Sequence, residues 1–187
     1  MKQTSSKLYI LTGGPGAGKT SVLNELNRNG FITVPEEGRR IIKEQISSNG
    51  TALPWKDKKR FADLMFGASV DTFQKMSKLA SQAVFFDRGI LDTIGYLKLE
   101  KIPVPEEMSL KAHEMKYHNN VFILPPWKEI YENDPERKQT LEVAKATFDC
   151  MKETYLEYGY NLIEVPKLTI EQRVEFILDI IENELKL

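Results

Sequence analysis

The chain has 187 residues, of which 41% are apolar and 28% are charged, as is usual for a globular protein with a buried core. Its 26 lysines and arginines nearly balance 27 aspartates and glutamates, so no overall field favours nucleic acid or an anionic membrane as partner. One cysteine and two histidines leave little capacity for disulfides or a zinc site. Because we find neither an N-terminal signal segment nor an apolar run of bilayer length, we expect a cytoplasmic protein.

Apolar runs and helical patterns alternate along the chain. Short apolar runs predict five buried strands, at 8–11, 31–34, 83–86, 121–124 and 161–165. Helical spacing predicts a helix after the glycine-rich turn, one over about 56–79, one around Leu141 to Phe148, and a last one carrying Val174, Ile177, Ile181 and Leu185. Strands joined by helices imply right-handed crossovers and a parallel sheet covered on both faces, which is the α/β class. We expect a single domain over 1–187.

The turn after the first strand carries the strongest motif of the sequence. Residues 13–20 fit the phosphate-loop pattern G-x-x-x-x-G-K-[ST] at every fixed position. The glycines allow backbone N–H groups to point at phosphate oxygens, and the next helix adds the positive end of its dipole. Lys19 can reach the terminal phosphates, and the Thr20 hydroxyl can ligate magnesium. We predict that ATP or ADP binds with Mg²⁺ at Gly13, Gly14, Pro15, Gly16, Ala17, Gly18, Lys19, Thr20 and Ser21.

Two carboxylates follow predicted strands. Asp87 ends the third strand, where a magnesium-organising acid is expected, although Asp is also common as the cap of a turn. Glu36 follows the second strand, and an acid there is also favoured by the dipole of a starting helix. Because ligands of an open parallel sheet gather outside the carboxyl ends of its strands, both side chains are expected to face the phosphate site.

Three further segments resemble a family of small stand-alone P-loop ATP-binding domains. Residues 34–42 are similar to its V-P-E-x-x-R signature, 86–96 match its D-R-G-x-x-D-x-x-x-Y segment, and 125–138 are similar to its lid with the terminal D-x-x-R. The family carries an AAA-type label but is closer in architecture to nucleoside and nucleotide kinases. A relative with an assigned reaction is the ribosylnicotinamide-kinase domain of a bacterial NAD regulator. The resemblance extends over nearly the whole chain.

The resemblance implies a kinase-like P-loop NTPase fold with strand order 2-3-1-4-5 and a mobile lid at about 125–138. It further implies that Glu36 contacts or deprotonates the acceptor hydroxyl and that Arg88 holds substrate or phosphate. Arg137 would reach over the transferring phosphoryl group, unless it is only a surface charge. Arg39 either binds a phosphate or pairs with Glu36. Asp92 is expected to hold the turn after the third strand, and both histidines are expected at the surface.

These residues favour an ATP-dependent phosphotransferase that moves the γ-phosphoryl group to a small-molecule hydroxyl, nucleoside-like or of another metabolite. The catalytic candidates are Lys19, Glu36, Asp87 and Arg137. The substrate-binding candidates are Glu36, Arg39 and Arg88, and the metal candidates are Thr20 and Asp87. The alternatives are an ATPase or switch acting on a protein partner, and a nucleotide-binding module without turnover. The acceptor, the choice between Glu36 and Asp87 as base, the preference for ATP over GTP and the oligomeric state remain open at this point.

Overall fold

The structure of the protein, a computed structural model, describes residues 7–79, 82–132 and 140–185. Its strands are β1 (Leu8–Gly13), β2 (Ile32–Val34), β3 (Val84–Asp87), β4 (Asn120–Leu124) and β5 (Asn161–Glu164). All four strand pairs are parallel, and the order across the sheet is β2-β3-β1-β4-β5. This confirms the α/β class and the strand order that the resemblance implied.

Helices connect the strands and cover the sheet. Within the described residues they are α1 (Lys19–Arg28), α2 (Glu37–Ser47), α3 (Lys58–Leu79), α4 (Ile90–Leu99), α5 (Glu106–Glu114), α6 (Lys128–Glu132), α7 (Leu141–Glu157) and α8 (Ile170–Leu185). The helix expected over about 56–79 is α3, which begins after Asp57, whose carboxylate accepts a hydrogen bond from the Arg60 N–H. Among the helices of the described residues, none is both long enough and apolar enough to cross a membrane.

Apolar side chains cover both faces of the sheet. Along β1, Leu8 and Ile10 belong to the core on one face, which also contains side chains of α3, α4, α5 and α7. Tyr9 and Leu11 belong to the core on the other face, with side chains of α1 and α8. Because successive side chains of a strand alternate between faces, a strand buried on both is apolar at every position. This explains why these strands read as short continuous apolar runs.

The strand register brings three chain segments to one edge of the sheet. Leu11 of β1 lies opposite Asp87 of β3, and Val34 of β2 lies opposite Phe86. The turn after β1, the turn after β3 and the residues after β2 therefore leave the sheet side by side. This is the edge at which ligands of open parallel sheets bind.

One of the two histidines is not at the surface as expected, and the expected lid lies only partly within the described residues. His118 is buried rather than at the surface, because it precedes β4 and stacks on Tyr9 at 4.3 Å between ring centroids. His113 is exposed, as expected, and stacks on Tyr158. The lid expected at about 125–138 lies only partly within the described residues, which include α6. Arg137 lies outside them.

Candidate functional site

The turn between β1 and α1 approaches its neighbours so closely that glycine is required. Gly13 has φ +128°, and a Cβ added there would lie 2.4 Å from the carbonyl oxygen of Leu124. A Cβ on Gly14 would lie 2.3 Å from the carbonyl oxygen of Ala144. Gly18 then precedes the first turn of α1, whose N-terminus opens on the loop. A backbone held in this way presents N–H groups and a helix dipole to an anion.

Lys19 folds back onto the loop. Its Nζ donates hydrogen bonds to the carbonyl oxygens of Gly13 at 3.2 Å and Gly14 at 2.9 Å. The side chain is only 6% exposed. Burial, and after it the charge of Arg88, lower the pKa of Lys19 to about 8, although neighbouring carboxylates oppose this shift. An anion beside the ammonium would raise this pKa again, because it would stabilise the charged form. A phosphate would therefore interact favourably with Lys19.

Thr20 and Asp87 form the part of the site that suits a hard cation. The Thr20 hydroxyl donates to Oδ2 of Asp87 at 3.3 Å. The other carboxylate oxygen, Oδ1, is buried and has no hydrogen-bond partner within the described residues. Burial, and to a lesser degree the charge of Glu36, raise the pKa of Asp87 above its ordinary value. A buried, underused carboxylate beside a hydroxyl fits Mg²⁺, which prefers oxygen ligands.

The described residues contain no group of three or more His, Cys, Asp or Glu side chains placed to hold a metal. Mg²⁺ does not need one, because it is usually bound through one or two carboxylates together with substrate phosphates and water. The residues that would hold it here are Thr20 and Asp87. The site therefore fits a magnesium ion that arrives with a nucleotide.

Glu36 immediately precedes α2 and is held by two arginines. Its Oε1 accepts a hydrogen bond from Arg88 Nε at 3.1 Å, and its Oε2 accepts one from Arg39 Nε at 3.2 Å. Burial acts to raise the pKa of Glu36, but the positive charges of Arg88, Lys19 and Arg39 outweigh it and leave this pKa below its ordinary value. Glu36 is therefore ionised at neutral pH. The Arg39 side chain is 74% exposed, so its observed role is the pairing with Glu36.

Arg88 occupies the turn after β3 with an unusual backbone. Its φ of +74° is uncommon for a residue other than glycine and costs roughly 1–3 kcal/mol, which is typical of strain kept at functional sites. Its side chain bonds Glu36 and, through Nη1, Asp92 Oδ1 at 3.2 Å. Burial opposes its charge, yet Glu36, Asp92 and Asp87 together raise the pKa of Arg88. The guanidinium thus joins the segments that follow β2 and β3.

Asp92 holds this turn, as expected from the sequence. Its carboxylate accepts hydrogen bonds from the backbone N–H of Gly89 and from the Thr12 hydroxyl. Besides these and Arg88, a fourth donor, the Tyr155 hydroxyl at 2.7 Å, comes from α7. Asp92 therefore ties β1, the Arg88 turn and α7 together behind the site, an arrangement that local sequence spacing could not reveal.

The site opens into a cavity of about 960 Å³, in the upper part of the range of about 300–1,000 Å³ usual for ligand sites. The expected residues that line it are Pro15, Gly16, Gly18, Lys19, Thr20, Ser21, Glu36, Arg39, Asp87 and Arg88. Gly13, Gly14 and Ala17 do not line it, and Gly13 and Gly14 instead form the floor on which Lys19 is anchored. Arg137 lies outside the described residues.

Arg173 is not among the residues expected from the sequence, yet it is 3% exposed and lies behind the phosphate loop. Its Nη2 donates to the carbonyl oxygen of Ala17 at 2.8 Å, and its guanidinium lies 5.9 Å from the centre of the Trp127 ring. Burial lowers the pKa of Arg173, and its buried Nε has no hydrogen-bond partner among the described residues. A signal was present: Arg173 lies one turn before Ile177, on the buried stripe of α8.

The same fold occurs in known proteins. A family model described as an AAA domain matches residues 8–173. No curated protein sequence matches the chain.

Among solved structures, the NadR protein in complex with NR superposes with a TM-score of 0.68 at 19% identity, over 95% of this chain and 51% of that one. Deoxyadenosine kinase from M. mycoides with bound dCMP and dCDP gives 0.65 at 16% identity, over 94% and 99%. Thymidylate kinase from Ehrlichia chaffeensis gives 0.64 at 15%, over 95% and 99%. The chain thus spans about half of NadR but nearly all of the two kinases. At these identities the likeness establishes the P-loop kinase fold.

Proposed function

This chain belongs to the AAA domain family, and from that membership and the geometry of the site we propose that it is an ATP-dependent phosphotransferase. It moves the γ-phosphoryl group of ATP, bound with Mg²⁺ at residues 13–21, to the hydroxyl of a small molecule. The structural neighbours support this proposal, because they include kinases that act on nucleosides and nucleotides. In the proposed organisation, 1–187 is one domain with a lid at about 125–138.

One observation carries the proposal: the carboxylate of Glu36 lies in the same cavity as Lys19 and Thr20 and is held there by Arg88. A module that only binds nucleotide needs the loop, the helix end and a metal ligand. It has no use for a second, ionised carboxylate at the wall of a large cavity. A phosphotransferase needs such a group to orient the attacking hydroxyl and to accept its proton.

The proposed roles follow from these contacts. Glu36 accepts the hydroxyl proton while the acceptor oxygen bonds to the γ-phosphorus and the bond from that phosphorus to the oxygen bridging to ADP breaks. Arg88 and Arg39 keep the carboxylate ionised and oriented. Lys19 stabilises the charge on the phosphates, and Arg137 is proposed to reach the transferring group from the lid. Catalysis of this kind is mainly positioning and charge stabilisation.

Asp87 is the second candidate for the base, because burial brings its pKa closer to neutrality. Its contact with the Thr20 hydroxyl favours a metal-holding role instead. Mg²⁺ held by Thr20 and Asp87 would supply positive charge to the site and would favour the ionised form of Asp87. We therefore assign Asp87 to the metal and the base to Glu36.

The experiment is a metabolite screen for ADP formation from ATP above the rate in the absence of metabolite, followed by identification of the phosphorylated product. The wild-type protein should give acceptor-dependent ADP with one class of hydroxyl compound, and Glu36→Gln should not. Slow ATP hydrolysis that no metabolite accelerates, but that a protein partner changes, would replace this proposal with the switch. ATP binding without any turnover would leave only the binding module.

A further inference from the structure

Beyond Glu36, one part of the cavity wall is aromatic and aliphatic. Phe61 of α3 and Tyr96 of α4 meet edge to face, with ring centroids 5.8 Å apart and ring planes at 83°. Met65 lines the same cavity, as does Trp55, which is 62% exposed. Flat and polarizable surfaces of this kind pack well against a ring. The wall therefore suits a ligand that carries a flat ring.

Gly38 shows how close this wall comes to the carboxylate. A Cβ built on Gly38 would lie 3.6 Å from Glu36 Oε1, 3.2 Å from Met65 Sδ and 3.7 Å from Phe61 Cζ. The carboxylate and the ring wall are thus neighbours around one small residue in the first turn of α2. A hydroxyl at Glu36 and a ring at the wall can belong to a single molecule of moderate size, such as a sugar joined to a base.

The charges of the cavity oppose a phosphate on that molecule. Within the residues that the structure describes, each cation of the wall outside the phosphate loop already has a carboxylate partner. Arg88 pairs with Glu36 and Asp92, Arg39 pairs with Glu36, and Lys58 pairs with Glu100. Among the described residues, the lining has four cations, including Lys19, and five carboxylates, which are Glu36, Glu37, Asp87, Asp92 and Glu100.

A phosphate group on the acceptor would bring roughly 1.5–2 further negative charges at neutral pH. In this lining it would meet carboxylates and no uncommitted cation of the described residues. Removing charge from water without a partner is costly, and like charges add to the cost. The cavity therefore favours a ring compound with a free hydroxyl over its phosphate ester.

We propose that the cavity selects an unphosphorylated, nucleoside-like acceptor, and that Glu100 sets this selection by neutralising Lys58. The inference rests on the proposed phosphotransferase function. The ring of the acceptor lies against Phe61, Met65 and Tyr96, and its sugar hydroxyl lies at Glu36. Glu100 is thereby a specificity-determining residue at the cavity, remote in sequence from the catalytic carboxylate.

The test uses matched pairs of acceptors: ribo- and deoxyribonucleosides, each with its own 5′-monophosphate. Wild-type protein should phosphorylate the preferred nucleoside with a kcat/KM at least about tenfold above that of its monophosphate, and calorimetry should show the same order of affinities. Tyr96→Ala should weaken nucleoside binding by about ten- to a hundredfold, the usual effect of removing a ring that stacks on a base. Tyr96→Phe keeps the ring, so its loss should be much smaller.

Glu100→Gln tests the charge argument in the direction of gain. It frees the Lys58 ammonium, so the ratio of monophosphate to nucleoside kcat/KM should rise by about two- to tenfold, and less at high salt because both groups are partly exposed. Glu157→Gln is the matched control. It frees Lys98, which is also held in an ion pair but does not line the cavity. The ratio of monophosphate to nucleoside kcat/KM should therefore not change.

The possible outcomes separate the two proposals. Monophosphates that bind or react as well as nucleosides would overturn this inference and leave the phosphotransferase standing. An unchanged ratio in Glu100→Gln would overturn the role of Glu100. Nucleoside binding that depends on Tyr96 but is followed by no transfer would support the acceptor class and overturn the proposed function. If neither member of any pair binds, the inference is wrong.

Discussion

The two sides of the cavity are built in different ways. The proposed donor side is one continuous stretch, from Gly13 to Ser21, which combines a glycine-rich backbone, the N-terminus of α1 and the Lys19 ammonium held on the loop. The proposed acceptor side is assembled from Glu36, from Phe61 of α3, and from Tyr96 and Glu100 at the C-terminal end of α4, three chain segments that meet only when the chain is folded. Phosphates are the same in every nucleotide, whereas acceptors differ. A continuous backbone motif therefore suits the first side, and scattered side chains suit the second.

This difference has a consequence for mutations. On the donor side most of the contact is backbone, so single side-chain changes should act on nucleotide binding mainly through Lys19 and the metal ligands. On the acceptor side each contact is a side chain, so changes there should act on transfer and specificity while nucleotide affinity is kept. Single substitutions on each side test that separation.

The largest effect is expected at Arg137. If it reaches the transferring group, Arg137→Ala should lower turnover by about 10³–10⁵-fold while ATP affinity changes little, because the contact forms mainly in the transition state. Steady-state kinetics and ATP calorimetry on the same preparation measure both. Arg28→Ala, which removes an exposed arginine paired with Glu25, is the control. An Arg137→Ala rate equal to that of the control would make Arg137 a surface charge.

Glu36→Gln should cut phosphoryl transfer by about 10²–10⁴-fold, the usual contribution of a general base. ATP affinity should stay within about threefold, because Glu36 belongs to the acceptor side and glutamine keeps its size. The measurement is transfer to a confirmed acceptor beside ATP calorimetry. The control is Glu44→Gln, which changes a glutamate of α2 that is also paired with an arginine and which should behave as wild type. Wild-type transfer by Glu36→Gln would move the base to Asp87.

The fold and the donor side could be predicted from the sequence to a large extent. Buried strands are apolar on both faces, so β1, β3 and β4 were visible as runs, and the phosphate loop is local in sequence. The strand order needed the resemblance, because apolar runs do not say which strands pair.

The acceptor side could be predicted only in part. The pairing of Arg88 with Glu36 joins residues that are 52 positions apart. The convergence of Phe61 and Tyr96 depends on the packing of α3 on α4. The surface position predicted for His118 was wrong, because its burial comes from Tyr9, which lies far from it in the sequence on the neighbouring strand β1. Arg173 was overlooked because a charged residue in an amphipathic helix ordinarily faces water.

Lys19→Ala should lower ATP affinity by about 10- to 150-fold, as expected when a charge-assisted contact of about 1.5–3 kcal/mol is lost. Thermal stability should not fall, because the change removes a buried ammonium whose pKa is already depressed. Titration calorimetry and thermal melts measure the two. Lys59→Ala, an exposed lysine paired with Asp63, is the control. Unchanged ATP affinity in a folded Lys19→Ala protein would contradict the phosphate-loop assignment.

The same lysine should give the wild-type protein a pH signature. Its pKa is about 8 without nucleotide, and phosphates should raise it, so binding takes up a proton above pH 8. ATP affinity should therefore decline as pH rises above about 8, by at most about tenfold per pH unit for one proton. In Lys19→Ala the affinity should be flat over that range, because the titrating ammonium is absent.

Asp87→Asn should raise the thermal stability of the ligand-free protein and weaken the magnesium-dependent binding of ATP. The native pKa of Asp87 is raised, so its stability contribution is greatest below the unfolded value of about 3.9 and is lost as pH rises through the native pKa. At pH 7 the buried carboxylate therefore destabilises the folded state. Asparagine should raise Tm by about 2–4 °C, which is the shift expected for roughly 1 kcal/mol in a chain of this size. The gain in ATP affinity on adding magnesium should shrink. A lower Tm, or an unchanged magnesium response, would contradict this account.

The smallest effect is expected at Arg173, which supports the donor side from behind. Arg173→Met keeps the stem but removes the bond to the Ala17 carbonyl, so ATP affinity should fall about two- to tenfold, the value of one hydrogen bond. Stability should change little, because the variant also removes a buried positive charge whose Nε has no hydrogen-bond partner among the described residues. Calorimetry measures the ATP affinity, and denaturant unfolding measures the stability. A large loss of stability with normal ATP affinity would make Arg173 a packing residue only.

The most direct test of the central claim follows the labelled γ-phosphoryl group of ATP through one turnover, with protein in excess and a nucleoside present. The phosphorylated nucleoside and inorganic phosphate are separated and quantified over time. We predict that the label passes to the nucleoside hydroxyl and that Glu36→Gln slows this step by about 10²–10⁴-fold. Release of the label as inorganic phosphate, at one rate with or without the nucleoside and equally in Glu36→Gln, would contradict the account.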